Sequence, residues 1–183
     1  MFLECIGSIG YWEKFIQKPS PFNLNHTFQK QSALSQFSIC GPNGLIKLSI
    51  PTKKATRRGP YSKVEIDYSS KWQSEHWKSI ENAYIKSPFF IYYDYKIEPI
   101  FKKQYRYLCD FNIAMTLAVK NVLRLNEIGE ITQGDAIFYD ELASDFTRVY
   151  PQVYDDKNDF IPNLSILDLL FNLGPETLDY LAS

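Results

Sequence analysis

Residues Trp72–Tyr93 read WQSEHWKSIENAYIKSPFFIYY, and this stretch organises the predicted fold. Ser70 and Gln73 have the spacing of a capping box, which predicts a helix start. Ser87-Pro88 ends that helix because the residue before proline is pushed out of the α region, and a second helix is predicted to begin at Pro88. At about 100° per residue the large side chains fall on one arc of the first helix: Trp72, His76, Trp77, Ile80, Ala83 and Tyr84. We expect this aromatic corner to be the hub of the fold.

His76 projects from the middle of that apolar arc. One interpretation is a core histidine with one hydrogen-bonded ring nitrogen, because buried polar groups are normally paired. The other is a general acid or base at the wall of a pocket, which requires a second polar group nearby. The sequence is compatible with both interpretations of His76.

The composition is that of a soluble globular protein. A chain of 183 residues suits one domain, residues 1–183, with a sizeable core. The aromatic content of 16% predicts either an aromatic-rich core or a tyrosine-lined cleft. The net charge of −1 gives no general attraction to nucleic acid or to an anionic membrane.

Cysteine and histidine usage bounds the chemistry. Cys5, Cys40 and Cys109 are odd in number and widely spaced, which excludes a disulfide framework and a zinc knuckle and suits a reducing cytosol. With only His26 and His76, histidine-rich metal sites are excluded, and we expect no metal or other cofactor. A nucleophilic Cys–His pair that uses Cys40 or Cys109 stays open. No signal peptide or membrane span is expected, so the predicted location is the cytoplasm.

The strands are predicted in the first 70 residues. FLECI at 2–6 predicts a short buried strand, and Gly7-Ser8 predicts the cap of a helix over 9–17. A strand near 22–29 is expected next, and KVEIDY at 63–68 predicts another.

A hairpin is the clearest local prediction. The runs QFSIC and LIKLSIP are joined by Gly41-Pro42-Asn43-Gly44, which suits a type I turn with a left-handed glycine. This turn is read as structural rather than as a phosphate cradle, because no helix follows it to supply a dipole.

A cluster of basic residues follows the hairpin: Lys53, Lys54, Arg57, Arg58 and Lys63. Such a loop is usually a solvated surface. The alternative is a mobile clamp for a phosphorylated substrate or a nucleotide sugar, because arginine and lysine suit phosphate oxygens.

The second half of the chain is predicted to be mainly helical. A long helix over roughly 106–126 is apolar on both sides and should be buried, with Asp110 and Asn112 in its first turns. A short helix near 136–144 is expected, and Asn163-Leu-Ser165 introduces two more helices separated by Gly174-Pro175. The fold class is therefore α+β, with a small mixed β-sheet and hairpin in the N-terminal half packed against a mainly helical C-terminal half.

Six segments of the chain together form a recognisable pattern: IGSIGYW (6–12), HTFQKQS (26–32), GPNGLIKLSIP (41–51), HWKSIENAYIKSPFFIYY (76–93), YLCDFN (107–112) and FIPNLSILDLLFNLGPETLDYL (160–181). The most specific parts are AYIKSPFF and PNLSILDLLFNLGP. Through these segments the sequence resembles the WbqC-like protein family along nearly its full length.

The resemblance implies a role in bacterial lipopolysaccharide O-antigen or related surface-sugar pathways, where the family is described as glycine (aminoacyl) transferases. The chain departs from the family at Ala33-Leu34-Ser35-Gln36, which replaces a Y-R-N-R-like run. If those arginines hold an anionic substrate in relatives, this protein lacks them. The candidates carried over by position are His26, Lys30, His76, Tyr84, Lys86, Asp110, Asn112, Asn163, Ser165 and Asp168.

Two functions are expected from these observations. The first is a group transferase acting on a small molecule, such as a nucleotide sugar or an activated amino acid, and the second is a non-catalytic binding or scaffold protein of the same pathway. His76, Asp110, His26 and Lys30 are the predicted catalytic residues. Those predicted to bind substrate are Tyr84, Lys86, Asn112, Arg57 and Arg58. We further expect His76, Tyr84 and the start of the 106–126 helix to line one cleft.

Overall fold

The computed structural model describes residues 1–125, 131–132 and 148–183, with only the backbone of 131–132. The predicted helix at 136–144 lies outside these residues. The helices are α1 (Ile9–Gln17), α2 (Trp72–Tyr84), α3 (Phe90–Lys102), α4 (Leu108–Leu123), α5 (Ile166–Leu173) and α6 (Thr177–Ala182). Short 3₁₀ turns cover Lys54–Thr56, Tyr61–Lys63 and Gly174–Glu176, and the strands are β1 (Phe22–Asn23), β2 (Gln36–Gly41), β3 (Gly44–Ser49) and β4 (Ile131–Thr132).

The predicted α+β class is confirmed, with strands early in the chain and helices dominating the rest. The described strands form two separate two-stranded sheets rather than one mixed sheet. In one, β1 runs parallel to β4 and Phe22 pairs with Ile131; in the other, β2 and β3 are antiparallel. None of the described helices is long and apolar enough to cross a membrane.

The β2–β3 hairpin has the predicted form. Gly41 pairs with Gly44 across Pro42-Asn43, and Phe37 pairs with Leu48 further along the ladder. Gly44 has a φ of 100°, the left-handed conformation that the turn requires and that glycine adopts without a steric penalty.

The other predicted strands are shorter than expected or absent. Residues 2–6 are irregular and all but Phe2 are buried; Ile6 and Gly7 have positive φ values and cannot continue an extended chain. The strand predicted at 22–29 is limited to Phe22–Asn23. The strand predicted at 63–68 is replaced by the Tyr61–Lys63 turn and isolated bridges.

The helix α2 begins at Trp72 without a side-chain cap, so the predicted capping box is wrong. The Gln73 side chain donates instead to the Lys103 carbonyl at 2.6 Å, which ties α2 to the end of α3. Its predicted apolar face is confirmed, with Trp77 partly buried and the other members buried.

The turn after α2 falls at the predicted Ser87-Pro88, and α3 begins two residues later at Phe90. The Phe89 N–H donates to the Phe171 carbonyl at 3.0 Å, which fixes this turn against α5. The ring of Phe89 lies against Gly174, where a Cβ atom would overlap it.

The remaining helices close the core. The helix α4 packs against α3 and is mostly buried, although Leu117 is exposed. The first seven residues of α5 are all buried, and α1 packs against both α5 and α6. The buried apolar residues of the described chain form one large cluster from Leu3 to Leu181, with a small second cluster around Cys40.

Candidate functional site

A polar pocket lies where the two ends of the chain meet, and we call it the amino-terminal pocket. Its volume is about 280 Å³. The chain segments before α1, before β2 and before α5 form its walls together with the hairpin. The lining residues are Glu4, Cys5, Gly7, Ser8, Gln31, Ser32, Ala33, Gln36, Phe37, Ser38, Lys47, Asn163 and Ser165.

Backbone hydrogen bonds hold the two ends together at this pocket. Bonds of 2.9 and 3.0 Å join residues 7–9 to residues 164–166, on either side of a bridge between Ser8 and Ser165. Because Ser8 directly precedes α1 and Ser165 directly precedes α5, both helices begin at the pocket. The positive ends of their dipoles therefore lie beside it.

The first N–H groups of α1 are already bonded within the protein. The Asn163 Oδ1 atom accepts from the Gly10 N–H at 2.9 Å, and the Ser8 Oγ atom accepts from the Tyr11 N–H at 3.2 Å, as the sequence predicts for a cap. A ligand in the pocket must therefore be recognised chiefly by side chains rather than by free N–H groups of this helix.

Strained backbone is concentrated around the pocket. Gln31 and Asn163 line it with φ values of 60° and 52°, and the adjacent pair Ile6-Gly7 has values of 63° and 66°. A Cβ atom at Gly7 would lie 2.6 Å from the ring of Tyr11, so only glycine fits there. Non-glycine residues in this region cost about 1–3 kcal/mol each, and such strain concentrates at functional sites.

The buried polar residues that line the pocket are Glu4, Ser32 and Ser165, and the Ser32 hydroxyl donates to the Gln29 carbonyl at 2.7 Å. Glu4 is 4% exposed, and Ser165 is 2% exposed, with a buried Oγ atom that has no hydrogen-bond partner within the described part of the chain. Burial, and then the nearby Glu4, raise the pKa of the Cys5 thiol well above its usual value. An acidic residue and a hydroxyl residue therefore line the pocket, and the raised pKa of Cys5 keeps its thiol in the protonated form, which is not an activated nucleophile.

A second buried polar cluster lies one helical turn from the pocket, around Asp168 of α5. The Asp168 carboxylate is fully buried and accepts from the hydroxyls of Tyr84 (2.7 Å) and Tyr150 (2.6 Å) and from the Gln152 amide (3.2 Å). Burial raises its pKa, and these donors oppose that change. Tyr84 also accepts from the Cys40 N–H at 3.2 Å, so the cluster joins α2, α5 and the hairpin.

The model of the WbqC-like protein family matches residues 8–141 and 137–180. The chain belongs to the WbqC-like protein family. No curated protein and no solved structure matches the chain.

Four of the six WbqC-like segments supply residues of the amino-terminal pocket. These segments are far apart in sequence and meet only in the folded protein. The residues are Gly7 and Ser8 from the first segment, Gln31 and Ser32 from the second, Lys47 from the third, and Asn163 and Ser165 from the last.

The segment Ala33-Leu34-Ser35-Gln36, at which the sequence analysis expects a departure from the WbqC-like pattern, also lies at this pocket. Ala33 and Gln36 line it, whereas Leu34 is fully buried in the core. Two of these four residues therefore contribute uncharged side chains to the wall of the pocket.

The predicted cleft shared by His76, Tyr84 and the start of the 106–126 helix is wrong, because the structure places these residues in different surroundings. His76 packs against the rings of Phe37 and Trp72, with centroids 6.0 and 5.3 Å away. Tyr84 is fully buried, and Asp110 is exposed. The physical reason is that Tyr84 points at Asp168 in α5, a partner distant in sequence.

The surroundings of His76 are those of a core residue. Burial lowers the pKa of its imidazole to about 4, and its buried Nδ1 atom has no hydrogen-bond partner in residues 1–125 or 148–183. The ring is therefore neutral near pH 7 and poorly matched to accept a proton there.

The other predicted residues are dispersed. His26 is buried and stacks on Tyr61 with centroids 4.7 Å apart, and burial lowers its pKa. Asn112 donates to the Tyr61 hydroxyl at 2.6 Å and to the Leu34 carbonyl at 2.9 Å inside the core. Lys30 and Lys86 are exposed, and Lys30 directly precedes the pocket residue Gln31.

The basic loop is partly occupied by internal contacts. The Arg57 guanidinium donates to the hydroxyl and the carbonyl of Thr52, and Lys53 forms an ion pair with Glu65 at 2.8 Å. Arg58 is exposed. Among the described residues no group of three or more His, Cys, Asp or Glu side chains is placed to hold a metal ion.

Sequence reasoning missed Glu4, Gln31 and Lys47 as candidates. A usable signal existed for Glu4, because a charged residue inside a predicted buried strand requires an explanation. No comparable signal marked Gln31 or Lys47, whose position at the pocket depends on contacts between distant segments.

Proposed function

We propose that the protein is a group transferase of bacterial surface-polysaccharide or lipopolysaccharide O-antigen assembly whose small-molecule substrate binds in the amino-terminal pocket. The observation that carries the proposal is the meeting of four WbqC-like segments at one polar pocket, which the buried residue Glu4 also lines. Membership of the WbqC-like family supports the substrate class, an activated amino acid or sugar.

Glu4 is the general base in this proposal, in place of His76. A carboxylate in a confined pocket can accept the proton that an attacking amine or hydroxyl of the acceptor loses as it forms the new bond to the transferred group. The bond between that group and its activating group breaks in the same transfer, and the activating group leaves with the electron pair. Ser165 contributes a buried hydroxyl without a partner among the described residues, which can donate to a substrate oxygen. Lys47 places a positive charge at the rim for an anionic part of the substrate.

The cysteines have no nucleophilic role in the proposal. Burial raises the pKa of Cys40 to about 11 and that of Cys109 to about 12, and the Cys5 pKa is raised as well. Since the thiolate is the reactive form, transfer proceeds directly to the acceptor rather than through a thioester.

The second candidate is a binding protein of the same pathway without turnover. The uncharged Ala33 and Gln36 in the pocket wall favour it, because they stand where the family's arginine-containing run is expected. A pocket without those guanidinium groups has lost bidentate donors for a carboxylate or phosphate.

A ligand screen followed by one substitution tests both candidates. Thermal shift is measured with nucleotides, nucleotide sugars and glycyl donors, and a ligand at 100-fold over its Kd stabilises by about 2.7 kcal/mol. With the ligand found, Glu4→Gln should retain binding and lose turnover by about 10²- to 10⁴-fold. Glu75→Gln, at an exposed position on α2, is the matched control.

The outcomes separate the two functions. Binding without turnover in the unaltered protein supports the second candidate. Turnover that survives in Glu4→Gln removes the carboxylate from the mechanism, and a screen without any shift removes the pocket as a ligand site.

A further inference from the structure

Exposed apolar side chains are concentrated where α2 ends and α3 begins. Ile85 is 58% exposed, Ile91 65%, Tyr92 59% and Tyr95 62%. The other large exposed apolar residues of the described chain, Leu45, Leu117 and Val149, are far apart in sequence. Such a group on the surface of a folded protein indicates an interaction site.

The outer face of α2 leads from this corner to a groove. Positions 71, 74, 78, 81 and 85 follow each other in steps of three and four residues, so they form one stripe along the helix. The first four of them, Lys71, Ser74, Lys78 and Glu81, line a groove of about 600 Å³.

The outer face of α3 borders the same groove. Ile91, Tyr95, Glu98 and Lys102 also follow each other in steps of four and three residues, and Lys102 lines the groove opposite α2. The two stripes therefore face the same side of the α2–α3 hairpin. One end of this face is a groove with three lysines, and the other end is the Ile–Tyr corner.

The charge of this hairpin differs from that of the chain. Residues Lys71–Lys103 hold six lysines and four acidic residues, a net charge of +2, whereas the whole chain has −1. Among the described residues, no carboxylate lies within ion-pair distance of Lys71 or Lys78. Those ammonium groups remain available to an external anion.

We propose that this outer face of the α2–α3 hairpin binds the surface of an anionic phospholipid bilayer. Isoleucine and tyrosine side chains suit the boundary between head groups and acyl chains, where an apolar ring and a polar hydroxyl both find partners. Lysines beside them attract anionic head groups over a short distance. On this face an apolar corner lies beside a groove in which Lys71 and Lys78 have no ion-pair partner among the described residues, while Lys102 is paired with Glu98 at 2.8 Å. A bilayer matches this combination, which a purely apolar partner does not.

Vesicle flotation tests the proposal with the full chain. The protein is mixed with vesicles of phosphatidylcholine alone or with added phosphatidylglycerol, at low and high salt. Binding is expected only to the vesicles with phosphatidylglycerol and should weaken as salt rises. Replacing Lys71 and Lys78 by glutamine should weaken it about fivefold per lysine, since each lysine near the surface contributes about 1 kcal/mol.

The apolar corner is tested by Ile91→Ser and Tyr95→Ser, which should each lower binding without changing the thermal unfolding temperature, because both side chains are exposed. Leu45→Ser is the matched control, since Leu45 is 50% exposed on the β2–β3 hairpin, and it should bind as the unaltered protein does. Equal binding to both kinds of vesicle, or binding unaffected by all four substitutions, overturns the proposal. An absence of vesicle binding together with a dimer that Ile91→Ser dissociates also overturns it and assigns the face to a second copy of the chain.

Discussion

Tyr150→Phe removes one donor from the buried Asp168 carboxylate and leaves the ring in place. The Tyr150 side chain is 4% exposed and packs edge-to-face on Phe160 and Tyr180, contacts that phenylalanine keeps. What is lost is the hydroxyl, which donates to Asp168 at 2.6 Å and accepts from Gln152 at 3.1 Å.

The expected cost is large for the loss of a single oxygen atom. A hydrogen bond to a charged group contributes about 1.5–3 kcal/mol, against about 0.5–1.5 kcal/mol for a neutral pair. Within the described residues Asp168 has no cationic partner, so its ionised form depends on hydrogen-bond donors. We expect Tyr150→Phe to lower the free energy of unfolding by about 2–3 kcal/mol.

Urea denaturation followed by tryptophan fluorescence measures this cost, with Tyr154→Phe as the control. The Tyr154 hydroxyl donates to the neutral Asn82 carbonyl at 3.2 Å, so its removal should cost about 1 kcal/mol or less. Equal costs for the two substitutions would refute the idea that Tyr150 supports a charge.

The pH dependence provides an independent check. Burial raises the native pKa of Asp168, and the loss of a donor to its ionised form should raise it further. In the folded variant Asp168 then binds a proton at a higher pH than it does in the folded unaltered protein. The loss of unfolding free energy caused by Tyr150→Phe should therefore be largest at pH values where Asp168 is ionised. It should shrink as the pH falls through the pKa of Asp168 in the folded protein. A cost that stays constant or grows towards acid contradicts this assignment.

Two further predictions concern His76 and the hairpin turn. Burial lowers the pKa of His76 from 6.5 to about 4, so on acidification the unfolded chain binds the proton first. The free energy of unfolding should therefore fall by on the order of 3 kcal/mol as the pH drops from 6.5 to about 4. His76→Phe should lose this pH dependence in urea titrations, and an unchanged pH dependence would assign the titration to another group. Gly44→Ala should lower the free energy of unfolding by about 1–3 kcal/mol through backbone strain alone, because the φ of Gly44 is 100° and a Cβ atom there would meet nothing within 4 Å. A thermal unfolding assay measures this loss. In that assay Gly59→Ala should be nearly neutral, because a Cβ atom at Gly59 would make an ordinary contact at 3.6 Å.

Elements set by local chemistry were predictable from the sequence. The Ser8 cap and α1, the Pro42-Asn43 turn with its left-handed Gly44, and the break at Ser87-Pro88 each depend on residues a few positions apart. Hydrophobic periodicity likewise gave the buried face of α2, because helix geometry fixes which residues share a side.

Features set by distant partners were not predictable. The segment 2–6 has the composition of a strand, but the Cys5 N–H donates to the Ala33 carbonyl and the chain then turns at Ile6-Gly7. Gln73 would suit a capping box, yet its side-chain amide donates a hydrogen bond to the Lys103 carbonyl instead. Tyr84 shares a helical arc with His76, but the buried carboxylate of Asp168 determines where its hydroxyl points.

Contacts between distant residues also determine how the WbqC-like segments form the walls of the amino-terminal pocket. The most specific segment of the second half contains both Ser165, at the pocket, and Asp168, one turn along α5, and the Asp168 N–H donates to the Ser165 carbonyl at 3.0 Å. The hydrogen bonds to Asp168 thus fix the helix whose first residues form one wall of the pocket. On the other side, the strained Ile6-Gly7 and the Ser8 cap fix the wall that bears Glu4. The hydrogen bonds to Asp168 and the capped turn at residues 6–8 therefore position the carboxylate and the hydroxyl on which the proposed chemistry depends. Neither of them needs to contact substrate.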